Sequence, residues 1–215
     1  RGAARGAGGG LIAMDDLAAK RLVLASGNAG KLVELRELLA DAGYALHAQS
    51  EFGVRDIDET GLTFVENALL KARHAAQATG LPALGDDSGL CVDALGGAPG
   101  LYSARYAGGH GDAQANIAKL LDNLRQVPDA QRTAHFHAVV VLLRAPDDPQ
   151  PIIAEGRWPG RILHAPRGEG GFGYDPVFLD MQLQRSAAEL DAATKHARSH
   201  RGLALAALRA RLHEL

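Results

Sequence analysis

Apolar residues follow two rhythms along this chain, and the change from one to the other marks out the elements. Arg21-Leu22-Val23-Leu24-Ala25 is a short apolar run, read as a strand, ending in Ser26-Gly27-Asn28-Ala29-Gly30-Lys31. From there the spacing becomes helical, with Leu32, Leu35, Leu38, Leu39 and Ala42 on one side. Residues 45–54 read as a second strand and turn, and Asp56-Ile57-Asp58-Glu59-Thr60-Gly61 as an acidic loop. Thr63 and Glu66 make a capping box for the next helix. Phe64, Ala68, Leu69, Ala72, Ala75 and Ala76 supply its apolar side. Asn67, Lys71 and His74 share another face, which is either a solvated stripe or a functional one. An amphipathic helix is predicted over 112–125, burying Ile117, Leu120, Leu121 and Leu124. Two long β runs follow, 133–144 and 152–162, joined through a Pro-Asp-Asp-Pro turn. A last helix starts with Ser199 as its N-cap and is expected to bury Leu203, Ala206, Ala207 and Leu212. Strand–loop–helix alternation early and long β runs late predict an α/β fold.

The 215 residues suit one domain, and the 47% hydrophobic content suits a globular one. With 23 Lys and Arg against 25 Asp and Glu, no global field points to duplex nucleic acid or an anionic membrane. No apolar stretch approaches the length of a membrane span. The single cysteine, Cys91, excludes an intrachain disulfide and points to a reducing compartment, the cytoplasm. Residues 1–13, rich in Gly, Ala and Arg, read as an upstream extension or cloning remnant, and residues 14–215 as the single domain beginning at Met14.

The chain is organised around 84–106. Asp86 and Asp87 end an apolar run just before Ser88-Gly89, and Gly96-Gly97-Ala98-Pro99-Gly100 is a tight loop. Adjacent carboxylates repel, so a proton or a cation normally settles them. The same residues also suit a polar hairpin turn. The loop 26–31, between strand and helix, has the make-up of an anion site, where unpaired N–H groups meet the ligand. Lys31 in the first turn opposes the helix dipole and asks for something negative. It is not a P-loop, since Ala25 and Leu32 replace the required Gly and Ser/Thr. An ordinary strand-to-helix turn is the other reading of that loop. Gly168-Glu169-Gly170-Gly171-Phe172-Gly173 matches a dinucleotide fingerprint falsely, because Tyr174-Asp175-Pro176 blocks the helix that should follow. It reads better as a loop presenting Phe172 and Tyr174 to a nucleobase. His135 and His137 alternate on one strand face and read as packing or surface residues, not metal ligands.

Taken in order, these stretches resemble the inosine triphosphate pyrophosphatase (HAM1/RdgB-like) family. The matches are 26–31, Glu59-Thr60-Gly61 with Glu66-Asn67-Ala68, Gly85-Asp86-Asp87-Ser88-Gly89-Leu90, Ala94-Leu95-Gly96-Gly97 through Ser103-Ala104-Arg105-Tyr106, Gly171-Phe172-Gly173-Tyr174-Asp175-Pro176, and Lys195 with Ser199-His200-Arg201-Gly202. Gly85 is a small departure, standing where many relatives have Ala or Glu. The resemblance implies an elongated mixed β-sheet with flanking helices, in two lobes around a deep central cleft. It implies a cytoplasmic homodimer that requires Mg2+ and hydrolyses the non-canonical purine triphosphates ITP, dITP and XTP to monophosphate and pyrophosphate. It implies no direct binding of nucleic acid or membrane. By the same resemblance Ser26, Gly27, Asn28, Ala29, Gly30 and Lys31 hold the triphosphate, Asp58 and Asp87 hold the metal, and Asp87 is the catalytic base. Ser88, Phe172, Gly173, Tyr174, Asp175, Lys195, His200 and Arg201 contact the substrate. Two alternatives stay open: a nucleotide-binding regulatory module without turnover, and a pyrophosphatase acting on pyrimidine or methylated nucleotides. Paired carboxylates count against the first, since they repel phosphate unless a metal intervenes.

Overall fold

Alternation along the first strand, β1 (Lys20–Leu24), sends Leu22 and Leu24 into one hydrophobic cluster and Val23, with Ala25 just beyond, into another on the opposite face. The computed structural model describes residues 20–27, 32, 33, 35, 36, 39, 43–109 and 111–212. β1 pairs in parallel with β2 (Tyr44–Ala48) on one side and β3 (Ala83–Val92) on the other. The crossover from β1 to β2 is helical at Leu32, Val33, Leu35 and Arg36, and at Leu39, and Leu35 and Leu39 pack with Leu22 and Leu24. The crossover from β2 to β3 contains α1 (Phe64–Thr79), which covers the other face through Ala75 and Ala76. The two crossovers therefore cover opposite faces of β1, the arrangement that opens a crevice at the strand ends of an α/β sheet.

Thr63 caps α1 as expected, accepting from the Glu66 amide at 3.2 Å, while the Glu66 carboxylate accepts from the Leu62 amide at 2.8 Å and the Thr63 hydroxyl at 2.9 Å, one residue short of the reciprocal bond of a full capping box. Gly85 lets the helix close on β3: a Cβ there would stand 2.1 Å from the Ala68 carbonyl oxygen. The departure at this position is thus a close-packing device.

β3 corrects one expectation. Ser88 and Gly89 do not turn; the strand runs through them, paired without interruption to β4 (Thr133–Leu143). Gly89 is small because a Cβ would stand 2.3 Å from the Gly100 carbonyl oxygen of the 3-10 segment Gly100–Arg105. The expected tight loop before that segment is present, with Gly96, Gly97 and Gly100 all at positive φ.

β5 (Ile152–Ile162), β6 (Phe178–Asp180) and β7 (Arg185–Ser186) extend the sheet antiparallel, giving the order β2-β1-β3-β4-β5-β6-β7. One core gathers Leu84, Val140, Leu142, Ile152 and Ala154 around β1, and a second gathers Leu90, Phe136, Trp158, Ile162 and Phe178 at the far ends of β3–β5. Leu120 of α2 (Ala113–Asn123) and Leu124 close the second. These are the two lobes, strung along three long strands.

Two helices end the chain, α3 (Ala192–Arg198) and α4 (His200–Arg211), with Ser199 capping α4. The buried stripe of α4 is Ala204, Leu205 and Leu208; Leu203 is 39% exposed, and Ala206 and Ala207 face solvent, against the sequence expectation. The phase is set by Gly156 on β5, over which the His200 carbonyl and the Ala204 amide dock. Leu212 is buried as expected. Among the described residues no helix is long and apolar enough to cross a membrane.

Candidate active site

The gap between the lobes lies along the edge of β3. β1 pairs with β3 only as far as Leu24 and Leu84, where the Ala25 amide donates to the Leu84 carbonyl at 2.8 Å. At the other end the Leu90 amide donates to Ser103 Oγ at 2.9 Å. Between those two points no described strand flanks this edge of β3, opposite the one paired with β4, so the backbone edges of Asp86 and Ser88 open into the gap. Ser26 and Gly27 stand at the β1 end of it, with Asp56 beside Gly27. Asn28, Ala29, Gly30 and Lys31, the rest of the expected triphosphate loop, lie outside the described residues.

On the α1 face of β3 the site is built around Asp87, which is only 8% exposed. Asn67 and Lys71, four residues apart on α1, share the face that meets it. Asn67 Nδ2 donates to Asp87 Oδ2 at 3.2 Å, and Asn67 Oδ1 accepts from the Gly61 amide at 2.8 Å. Lys71 Nζ donates to Asp87 Oδ1 at 3.2 Å and to Glu59 Oε1 at 2.9 Å. Arg105 reaches Glu59 Oε2 at 3.4 Å. Burial pushes the Asp87 carboxyl above its ordinary range, only partly offset by Lys71 and Asn67. Burial alone would lower the Lys71 ammonium, but Asp87, Asp86 and Glu59 outweigh it and raise it. Glu59 is lowered: its own burial acts upward, and Lys71 and Arg105 overcome it. The result is a half-buried ammonium shared between two carboxylates, one of them a stronger base than usual.

Ser88 faces the other way. Ser88, Ala138 and Gly156 stand side by side on β3, β4 and β5, a row of small residues with the start of α4 docked over its β5 end. His200 stacks on Phe136, ring centroids 4.7 Å apart, and Arg201 is buried beside it. Phe172, 62% exposed, is flanked by two cations: Lys195 Nζ lies 4.6 Å and the Arg201 guanidinium carbon 5.6 Å from its ring centroid. Asp175 holds this loop, accepting from the Phe172 amide at 2.7 Å and pairing with Lys195. Gly171, at positive φ, leaves room for that carboxylate, whose Oδ2 would stand 2.1 Å from a Cβ. Tyr174, in contrast, is 5% exposed in the second core, and its hydroxyl donates to the Ser103 carbonyl at 2.8 Å. Gly173, also at positive φ, completes the turn. Of the two aromatics, Phe172 alone presents an exposed ring.

The structure thus sorts most of the expected site residues into an acid–ammonium group and an aromatic–cation group on opposite faces of the sheet. Asp58 is exposed and lines an open cavity of about 590 Å³ with Asp56, Arg55 and His74. It is Glu59, the neighbour of Asp58, that Lys71 joins to Asp87. Among the described residues no three metal-binding side chains are already grouped. The donor set still fits Mg2+ in kind, since hard carboxylate oxygens are present and this ion needs only one or two protein ligands beside its waters. The sequence assigns no definite role to Glu59, Asn67, Lys71 or Arg105, although Glu59, with Asp86, is a candidate outer partner of the metal site and Asn67 and Lys71 share a candidate functional stripe. The helical spacing of Asn67 and Lys71 was a signal for half of them; nothing local links Glu59 to Arg105.

Fold and site define a class: a mixed-sheet α/β protein whose strand-edge cleft joins buried carboxylates to a cation-flanked aromatic loop. The chain belongs to the Ham1 family, whose model matches residues 22–211. It is 66% identical over 196 residues to the dITP/XTP pyrophosphatase of Xanthomonas campestris pv. campestris (strain 8004), covering 91% of this chain and 98% of that one. It is 59% identical over 186 residues to the dITP/XTP pyrophosphatase of Yersinia pestis, covering 86% and 94%. Among solved structures, a HAM1 protein from Coxiella burnetii superposes with a TM-score of 0.87 at 52% identity, covering 91% of this chain and 100% of that one. The Staphylococcus aureus Ham1 protein gives 0.83 at 40% identity, covering 91% and 99%.

Proposed function

We propose that this protein hydrolyses ITP, dITP and XTP to the monophosphate and pyrophosphate, in the cytoplasm and as a homodimer, keeping deaminated purines out of DNA and RNA. The observation that carries the reading is the pairing of a buried carboxylate–lysine cluster with an exposed, cation-flanked aromatic ring on either side of one open strand edge. That division matches the two ends of a nucleoside triphosphate. The relatives named dITP/XTP pyrophosphatase support the substrate class.

In this reading the triphosphate lies at 26–31, with Lys31 against its charge. Asp87 takes the proton of the attacking water, for which its raised pKa suits it. Water adds at the α-phosphorus, the bond to the bridging oxygen breaks, and pyrophosphate leaves. Lys71 orients Asp87 and offsets the charge gathered there. Asp58 and Asp87 would hold Mg2+, which when bound supplies electrostatic stabilisation of the phosphates. At the other end Phe172 stacks on the base, while Lys195 and Arg201 donate toward the 6-oxygen that inosine and xanthine carry. Adenine puts an amino group there, and a buried donor left facing a donor costs about 1–3 kcal/mol. The test is pyrophosphate release from a nucleotide panel at equal concentration with Mg2+. ITP, dITP and XTP should be cleaved, GTP poorly, and ATP and pyrimidine triphosphates scarcely. ATP or CTP cleaved as fast as ITP would overturn the reading, and binding without release would make the protein a sensor.

A further inference from the structure

We propose that Arg105 is a positioning residue of this site: by holding Glu59 across the gap, it keeps Lys71 on Asp87. The inference rests on the function proposed above. Glu59 sits in the stretch 54–62, which has no helix or strand of its own. That stretch is tied to the first lobe by the Gly61 amide on Asn67, by His74 on the Arg55 carbonyl and by Lys71. Arg105 ties it to the second lobe, from the end of the 3-10 segment that closes the edge of β3. The two oxygens of Glu59 thus face two cations from two lobes, Lys71 on one and Arg105 on the other.

The consequence is electrostatic. Lys71 lies 2.9 Å from Glu59 and 3.2 Å from Asp87, so two carboxylates compete for one ammonium. Arg105 offsets part of the charge of Glu59 and weakens its claim. Without Arg105 the ammonium shifts toward Glu59, and Asp87 loses the group that orients it. A guanidinium suits the task because its planar fork of N–H donors matches a carboxylate. Its carbon lies 5.2 Å from the Tyr102 ring centroid, a cation–π contact that helps hold it in place.

The experiment is a double-mutant cycle on dITP hydrolysis with R105A, R105K, E59Q and R105A/E59Q. R105A should lower kcat about tenfold while KM moves less than about twofold, as expected for a residue acting on chemistry and not on substrate binding. R105K should recover part of the loss, and added methylguanidinium should restore some activity to R105A. In the E59Q background R105A should have little further effect, because Arg105 works through Glu59. R105M, which keeps most of the side-chain volume without the charge, carries the same expectation should R105A prove unstable. Full activity of R105A and R105M, a loss confined to KM, or losses that multiply in the double variant would overturn the proposal. An unaltered protein that releases no pyrophosphate overturns the function and this inference with it; an active one with a fully active R105A overturns this inference alone.

Discussion

Asp87 stands out in the sequence because paired acids beside small residues are conspicuous, yet its surroundings do not. Lys71 is 16 residues away, and Glu59 reaches it only by way of Lys71. The capping box at Thr63 fixes the phase of α1, so a shared face for Asn67 and Lys71 is legible from the sequence alone. What that face meets is not, because it depends on a crossover landing over β3. The Asp87 environment gives a prediction with two readouts. Burial disfavours the ionised form, so the folded protein carries this charge at a cost in stability. Asp87→Asn keeps the shape, removes the basicity and relieves that cost. Its kcat should fall on the order of a hundred-fold or more, the usual scale for losing a general base. Its thermal midpoint should not fall below that of the unaltered protein. Pyrophosphate release and a melting curve on one preparation check both, and near-full turnover would mean that another carboxylate is the base.

Elements were legible where their periodicity is strong. The strand predicted at 152–162 matches to the residue, and the elements predicted at 133–144 and 112–125 match to within one or two at their ends. Errors fell where glycine serves close approach instead of a turn. Ser88-Gly89 has turn chemistry, but Gly89 is there to admit Gly100, and the strand passes through. The leucines and alanines of α4 suggest one phase, whereas contact with Gly156 decides which side turns inward. That contact also sets the start of α4, where His200 and Arg201 stand. A Cβ at Gly156 would lie 1.9 Å from the His200 carbonyl oxygen and 2.6 Å from the Ala204 amide nitrogen, both backbone atoms that cannot rotate away. Gly156→Ala should therefore lift α4, destabilise the fold by about 1–3 kcal/mol, and raise KM for dITP more than it lowers kcat. Gly109→Ala, where a Cβ meets nothing within 4 Å, is the control and should be neutral on both counts. Urea unfolding and steady-state kinetics on the two variants decide it.

At the scale of the whole molecule, the aromatic side of the cleft depends on how α3, which carries Lys195, is held to the sheet of the second lobe. The holder is Asp180, 1% exposed at the end of β6. It accepts from Trp158 Nε1 on β5 at 2.9 Å, from the Gln182 and Leu183 amides of its own turn, and from Arg198 of α3 at 2.8 and 3.1 Å. Nothing in the sequence joins these residues; each looks like an ordinary surface charge or core aromatic until β5 and β6 pair. Burial alone would raise the Asp180 carboxyl, but Arg198, the two amides and Trp158 outweigh it and bring it down to about 2. A carboxyl lowered on folding stabilises the native state above its unfolded pKa, near 3.9 for Asp, and loses that contribution as pH falls through the folded value. Over this interval the contribution amounts to about 2–3 kcal/mol. Asp180→Asn also takes the carboxylate from the partly exposed Arg198 guanidinium, which keeps Gln182 as a side-chain partner, so at pH 7 it should cost about that much. Below about pH 4 the gap to the unaltered protein should narrow, and near pH 2 most of it should be gone. Urea midpoints of both proteins across pH 2–7 measure this directly. A gap that stays constant over that range would show that Asp180 holds α3 by shape and not by charge.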